Sequence, residues 1–382
     1  MAIRMTTLVL LSVSAGAGHV RAAQALQAWC ERDHPGVTAV HLDVMDFVPK
    51  LFRRIYADSY VTLVERAPSL WGYLYGATDR MDGDARRTRI RQMIERLNTR
   101  RLVKRLGELA PDHVVCTHFL PAQLLSRLRA RGEFSAPTWV QVTDFDVHQL
   151  WIHRHLDGYF AADDEVAFRM RDRGLAVADV HVTGIPIMPA FAVQLDRAQC
   201  AREIGVDPQR PTILMMSGGM GVGAIDRLAE RVLVACPQAQ VIALAGRNAA
   251  LLARLTTLAE AHGGRLRPLG FTKTIERVMA CADLAVTKPG GLTSAECLAV
   301  GLPMVVISPI PGQEERNADF LLERGAALKA YDAAGLEFRV RALMDDRERL
   351  ARMRQAALAV GRPQAARDVL RRVLGATAQG RA

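Results

Sequence analysis

The sequence predicts an α/β protein made of two Rossmann-type halves, and three observations carry that prediction. Short apolar runs alternate with helix-length amphipathic stretches along most of the chain. Glycine-rich turns close strands at Ser14–His19, Ser217–Gly223 and Pro289–Gly291. The rhythm halts at a strand that leaves through Pro186 and Pro189, then restarts. A length of 382 residues accommodates two such domains. We place them at 1–190 and 191–360, with 361–382 as a terminal helix expected to cross back to the first domain.

Thr6–Val13 reads as a buried strand, Ser14–His19 as its turn, Val20–Glu31 as a helix and Val37–Val44 as the next strand. This opening also fits a dinucleotide site, with Asp43 as the ribose-binding acid. Two residues oppose that reading. Arg21 stands where the third glycine of the fingerprint belongs, and His19 where a cofactor phosphate would press on backbone. In the aromatic stretch Phe47–Tyr75, Phe52, Tyr56 and Tyr60 recur at helical spacing. Trp71, Tyr73 and Tyr75 follow Pro68 in an irregular segment, where amphipathic rings suit lipid head-groups as well as core packing. Arg86–Arg105 holds nine basic residues and one acid, Glu95, around an apolar stripe of Ile90, Met93, Ile94 and Leu97. Such a helix either docks on an anionic bilayer or packs its apolar side as an ordinary surface helix.

Asp112–Thr117 is a strand followed by His118, and Pro137–Val142 is a strand ending in Thr143-Asp144-Phe145-Asp146. The Asp-x-Asp pair invites a metal reading, set aside because it lies in the half opposite the predicted nucleotide site. Asp144 and His148 follow a strand's carboxyl end, where α/β sheets place function. A strand at Asp157–Ala162 and a helix at Asp164–Arg173 lead to the boundary.

In the second half, Thr212–Met216 is a strand. The loop containing Gly218 and Gly219 follows, then a helix to about Ala235. No Lys-Ser/Thr pair follows the glycines, so this is not a Walker loop. Gln240–Leu244 ends at Gly246-Arg247-Asn248, and Leu266–Phe271 is followed by Thr272. Asp283–Val286 leads to Pro289-Gly290-Gly291 and a helix over Thr293–Ala299, with Glu296 one turn in. Met304–Ile307 leads to Pro309–Gln313 and a second helix whose first turn holds Glu314 and Asn317 on one face. Two strand-to-helix turns thus lie close together, each offering N–H groups to an anion such as a diphosphate. A carboxylate beside a phosphate site fits a nucleotide sugar, whose vicinal hydroxyls donate to it. After Ala327 come a short strand and arginine-rich helices, broken at Gly361-Arg-Pro363.

Half the residues are hydrophobic, ample for buried cores. No apolar run approaches the roughly 18 residues a membrane span needs. Leu8–Val13 lacks a cleavage pattern and reads as a strand rather than a signal peptide. The six cysteines are scattered without a CxxC pair, which fits buried thiols in a cytoplasmic protein. Net charge is +10, and only five of the 50 basic residues are Lys. An anionic partner follows from that charge. No helix-turn-helix, finger or RNP-like motif is present, so nucleic acid is not expected.

The stretch Thr287–Ala327 resembles the sugar-nucleotide signature of glycosyltransferase family 28, and within it the diacylglycerol glycosyltransferase branch. The residues are Thr287–Gly291, Thr293, Glu296, Pro311–Glu314, Asn317 and Arg324–Ala327. In the first half, the glycine turn with His19, Thr143-Asp144-Phe145 with His148, Trp151 and His153, and Thr183–Ile187 resemble the same branch. Met188 departs from it, standing where the family has a basic residue. The resemblance implies the GT-B architecture, two Rossmann-like domains facing across a cleft, with acceptor on the first and donor on the second. It implies an inverting transfer of a hexose from a UDP-sugar to the hydroxyl of diacylglycerol. His19 is then the general base, with Asp144 as rival base or orienting partner, and Gly18, His148 and Trp151 border the acceptor. The donor side comprises Gly218, Gly219, Gly246, Asn248, Phe271, Thr272, Gly290, Gly291, Gln313, Glu314 and Asn317, with Glu296 on the ribose. No metal or cofactor is expected. The expected partners are UDP-sugar, diacylglycerol and an anionic membrane surface, which places the protein at the cytoplasmic face of the cell membrane. The alternatives are another lipid-linked or small acceptor, a UDP-sugar 2-epimerase, and a nicotinamide enzyme.

Overall fold

The computed structural model describes residues 5–14, 16–49, 99–216 and 225–379. The aromatic segment 52–75, most of the basic helix, and the glycine loop with Gly218 and Gly219 lie outside the described residues. The chain divides into two compact units. The first comprises 1–189, 310–313 and 364–382, and the second 190–309 and 314–363.

In the first unit the elements run β1 (Thr6–Ser12), α1 (Ala17–Asp33), β2 (Val37–Asp43), α2 (Arg100–Leu109), β3 (His113–Cys116), α3 (Phe119–Ala130), β4 (Thr138–Gln141), β5 (Gly158–Ala161), α4 (Asp164–Asp172) and β6 (Val180–Val182). The strands form one parallel sheet in the order β2-β1-β3-β4-β5-β6. Parallel sheets need both faces covered, and β3, β4 and β5 are buried throughout. Of the basic stretch, α2 is described. Leu102 and Leu106 turn into the core, while Arg100, Arg101, Lys104 and Arg105 are exposed. Its apolar side is therefore already occupied by protein.

The second unit runs α5 (Arg197–Ile204), β7 (Thr212–Met216), α6 (Ile225–Ala235), β8 (Gln240–Gly246), α7 (Ala249–Glu260), β9 (Leu266–Gly270), α8 (Ile275–Ala280), β10 (Leu284–Thr287), α9 (Gly291–Ala299), β11 (Met304–Ile307), α10 (Gln313–Glu323), β12 (Ala327–Ala330), α11 (Ala333–Asp345) and α12 (Arg347–Val360). Its parallel sheet is ordered β12-β11-β10-β7-β8-β9. Counted from β7, that is the doubly wound order 3-2-1-4-5-6. Ile213, Met215, Val241, Val286 and Val305 from the strands meet Leu336, Val340 and Leu343 of α11 in one core. Gly361 ends α12 where a Cβ would run into the Leu298 carbonyl of α9, so only glycine allows that approach.

The last helix, α13 (Ala365–Gln379), returns to the first unit and packs on α1. Ala365, Ala366, Val369, Leu370 and Val373 are fully buried there. Arg367 donates to Asp33 at 3.0 Å and lies over the Trp29 ring, which Arg32 covers at 3.9 Å. The Trp29 indole N–H donates to the Ile187 carbonyl at 2.9 Å, tying α1 to the strand exit.

Candidate active site

Sheet order decides where function sits. In each unit consecutive strands diverge to opposite sides, leaving a crevice beyond their carboxyl ends. In the first unit the divergence lies between β1 and β3, since β2 flanks β1 on the other side. The helix that opens after β1 carries Gly18 and His19 in its first turn, and the turn after β3 carries Thr117 and His118.

α1 begins without a side-chain cap, at Gly16 in extended backbone, and His19 lies in its first turn. His19 Nδ1 lies 2.9 Å from the Thr117 carbonyl and 2.9 Å from Thr143 Oγ1. A carbonyl can only accept, so Nδ1 carries the proton and Nε2 the lone pair. The Thr117 hydroxyl donates to the His19 carbonyl at 2.8 Å, fixing the residue from its backbone side as well. The ring stands edge-on to His118 at 4.6 Å and tilts against Trp151 at 6.0 Å. His19 is half-buried. Desolvation pushes its pKa down to about 4, partly offset by the Thr117 carbonyl. The imidazole is therefore neutral at pH 7, with a lone pair ready.

His118 was passed over in the sequence reading as a residue merely following a strand. Its Nδ1 accepts from the Leu120 amide at 3.1 Å and caps α3. Burial, reinforced by repulsion from His19, holds its pKa well below the usual histidine value. Stacked on Phe119 at 4.3 Å, it forms with Trp151 an aromatic wall beside His19. The signal was its position at the end of the strand beside β1, which becomes readable only once the sheet order is known.

The other residues expected on the acceptor side, Asp144, His148 and Trp151, lie close to one another in the chain. Asp144 and Trp151 are 6 % and 5 % exposed, and His148 is buried with its Nδ1 accepting from the Leu150 amide at 3.1 Å. Within this unit the Gln313 side-chain amide donates to Asp144 Oδ2 at 2.5 Å. Asp146 pairs with Arg169 at 3.7 Å. Among the described residues no cluster of three or more His, Cys, Asp or Glu is placed to hold a metal ion.

In the second unit the strands diverge between β7 and β10. α9 starts at Gly290, again without a side-chain cap, so its N-cap residue offers no side-chain acceptor to the first-turn amides. Elsewhere such amides are satisfied: Asp163, Asp196, Asp332 and Asp346 each cap a helix. Glu314 reaches the Gly290 turn, for a Cβ built on Gly290 would stand 3.7 Å from Glu314 Oε1. The two strand-to-helix turns are thus together, as their sequence spacing predicts. Between them Ser308 adopts a left-handed backbone, φ +43°, and Gly312 another, φ +89°. A non-glycine residue held there stores strain of the kind found at ligand clamps. Glu296 is 7 % exposed on α9, and Asn317 is fully buried on α10.

Four further residues expected on the donor side fall differently. Asn248 caps α7, its Oδ1 accepting the Leu251 amide at 2.9 Å, so that oxygen has a structural task. Gly246, φ +57°, ends β8 at a register shift, where a side chain would be strained. β9 stops at Gly270, one residue short of the predicted end. Phe271 therefore projects, 58 % exposed, with the Arg247 guanidinium 4.9 Å over its ring. Thr272 closes the turn by accepting from the Thr274 amide at 3.1 Å.

Two family models match the chain. Residues 19–187 match monogalactosyldiacylglycerol (MGDG) synthase, and residues 212–369 match the glycosyltransferase family 28 C-terminal domain. The chain is 29 % identical over 351 residues to the processive diacylglycerol beta-glucosyltransferase of Bacillus subtilis (strain 168), covering 91 % of this chain and 89 % of that one. In fold it is similar to MurG of Acinetobacter baumannii, with a TM-score of 0.60, 15 % identity and coverage of 97 % and 100 %. It is also similar to the UDP-GlcNAc 2-epimerase of Neisseria meningitidis bound to UDP-GlcNAc, with a TM-score of 0.62, 12 % identity and coverage of 97 % and 100 %.

Proposed function

The chain belongs to glycosyltransferase family 28, in its diacylglycerol glycosyltransferase branch, and on that premise we propose that it transfers a hexose from a UDP-sugar to the free hydroxyl of diacylglycerol. The fold is GT-B, and the product is a membrane glycolipid. One observation carries the chemistry: the Thr117 carbonyl fixes the His19 tautomer and leaves Nε2 as an unprotonated base.

In this reading the acceptor oxygen attacks the anomeric carbon as the bond to the UDP oxygen breaks, on the opposite face, with inversion. The hydroxyl proton passes to His19 Nε2. The imidazolium so formed gains from a nearby carboxylate, the role we assign to Asp144. UDP leaves with increasing negative charge, which the uncapped amides of Gly291 and Leu292 receive without reorganising. Glu296 holds the ribose, Glu314 and Asn317 the sugar and diphosphate, and Phe271 with Arg247 offers a platform for the base. His118, Phe119 and Trp151 form an apolar wall suited to a glyceride.

The membrane is part of the proposal. No helix among the described residues is long and apolar enough to cross a bilayer. We assign peripheral attachment at the cytoplasmic face of the cell membrane, with the exposed Arg100, Arg101, Lys104 and Arg105 of α2 facing anionic lipid. Incubating the purified chain with labelled UDP-glucose or UDP-galactose and diacylglycerol, then separating lipids by thin-layer chromatography, tests the whole. New glycolipid is the expected result. Conversion of the UDP-sugar without any acceptor would instead identify an epimerase and overturn the assignment.

A further inference from the structure

The second unit has another cavity, of about 310 Å³, at the opposite end of its sheet. Its rim includes Pro211, Asp283 and Pro303, the residues immediately before β7, β10 and β11. It therefore lies beyond the amino ends of these strands, about 15 Å of strand away from the glycine turns at the other end. Four arginines line it, Arg197, Arg210, Arg347 and Arg354, against a single acidic residue, Asp283.

That carboxylate is already engaged. Asp283 Oδ2 accepts from Arg197 at 2.7 Å and from the Thr212 amide at 2.8 Å. Arg210 pairs outward with Asp207 at 3.7 Å. Among the described residues the guanidinium groups of Arg347 and Arg354 have no ion-pair or hydrogen-bond partner. They lie seven residues apart on α12, two turns along one face. Arg347 also occupies the first position of that helix, where the helix dipole disfavours a cation. Like charges gathered at a locally unfavourable position break the rules that a merely structural surface obeys. Pro303, Met344 and Leu350 supply an apolar floor beneath them. Forked donors over an apolar floor suit a tetrahedral dianion carried on a short organic body.

We propose that this cavity is a second anion site, for a phosphomonoester, borne either by a soluble metabolite or by a lipid head-group. It shares no residue with the donor side and stands whether or not the glycosyl-transfer reading holds.

The test titrates inorganic phosphate by calorimetry into the full chain saturated with UDP, so that the glycine turns are already filled. Saturable binding is expected, weakened roughly tenfold or more in the double variant Arg347→Ala/Arg354→Ala. Phosphate should raise the melting temperature of the wild type and leave that of the variant unmoved. The variant's own melting temperature should not fall, because the two groups it removes are unpaired. Co-sedimentation with phosphatidylcholine vesicles doped with phosphatidic acid separates the sources. A greater loss of pelleting in the variant marks a lipid head-group, and phosphate binding with equal pelleting marks a soluble ligand. Absence of saturable phosphate binding on the UDP-saturated chain, or equal affinity in the double variant, overturns the proposal.

Discussion

Beyond β1 and beyond β10 the two sheets present the same device, a glycine turn opening an uncapped helix at a point where strands diverge. Their contents differ. The first holds an imidazole walled by aromatic rings, kept neutral by desolvation. The second holds a helix start without a side-chain cap, with the Glu314 carboxylate near the Gly290 turn and Glu296 on the same helix. In the proposed function the same backbone geometry serves a proton acceptor in one unit and an anion cradle in the other. Side-chain chemistry, rather than fold, distinguishes them.

Mutating His19→Ala strikes the first device alone. Turnover should fall by about 10²–10⁴-fold while UDP affinity by calorimetry stays unchanged; normal turnover would remove His19 as base. Glu296→Ala strikes the second, and UDP should bind roughly 10- to 100-fold more weakly, the loss of a charged hydrogen bond. Unaltered affinity would end the ribose assignment.

The pH dependence sharpens the contrast, because the first device holds a histidine whose pKa burial lowers well below neutrality. His19 has a folded pKa of about 4 against an ordinary value of 6.5. The unfolded chain therefore takes up a proton as pH falls through 6.5 while the folded chain does not. Stability contributed by the neutral ring is full above pH 6.5 and declines toward pH 4, by up to about 3 kcal/mol. Denaturant titrations at pH 7 and pH 4.5 should differ in that direction, and more weakly in His19→Ala. Likewise kcat/KM should hold level down to about pH 5, and a decline centred at 6.5 would mean a solvated ring. The smallest effect belongs to Phe271→Ala, which should weaken UDP binding only several-fold, matching loss of one stacking contact worth about 1 kcal/mol. Tenfold or greater weakening would make the platform a principal anchor.

Local pattern carried much of this in the sequence. Apolar runs marked most strands within a residue or two, because a strand buried on both faces is legible from its side chains alone, but the run from Val180 through Pro186 and Pro189 is a strand only over Val180–Val182. Glycine turns marked the strand ends, and the short spacing between Gly290 and Glu314 forecast their meeting. What escaped was non-local. His118 gained its place only because β3 lies beside β1, which no window of sequence states. Asn248, expected on the donor side, also caps α7, a task no sequence spacing announced. Arg197, Arg210 and Arg347 come from three separate elements, so their convergence had no linear signature.

The packing of α13 on α1 has a consequence for biosynthesis. The first unit is completed by a helix that follows the whole of the second unit in the chain. Until α13 is made, the seat that receives Val369, Leu370 and Val373 stays uncovered, so the first unit can reach its full packing only after residues 190–363 have been synthesised.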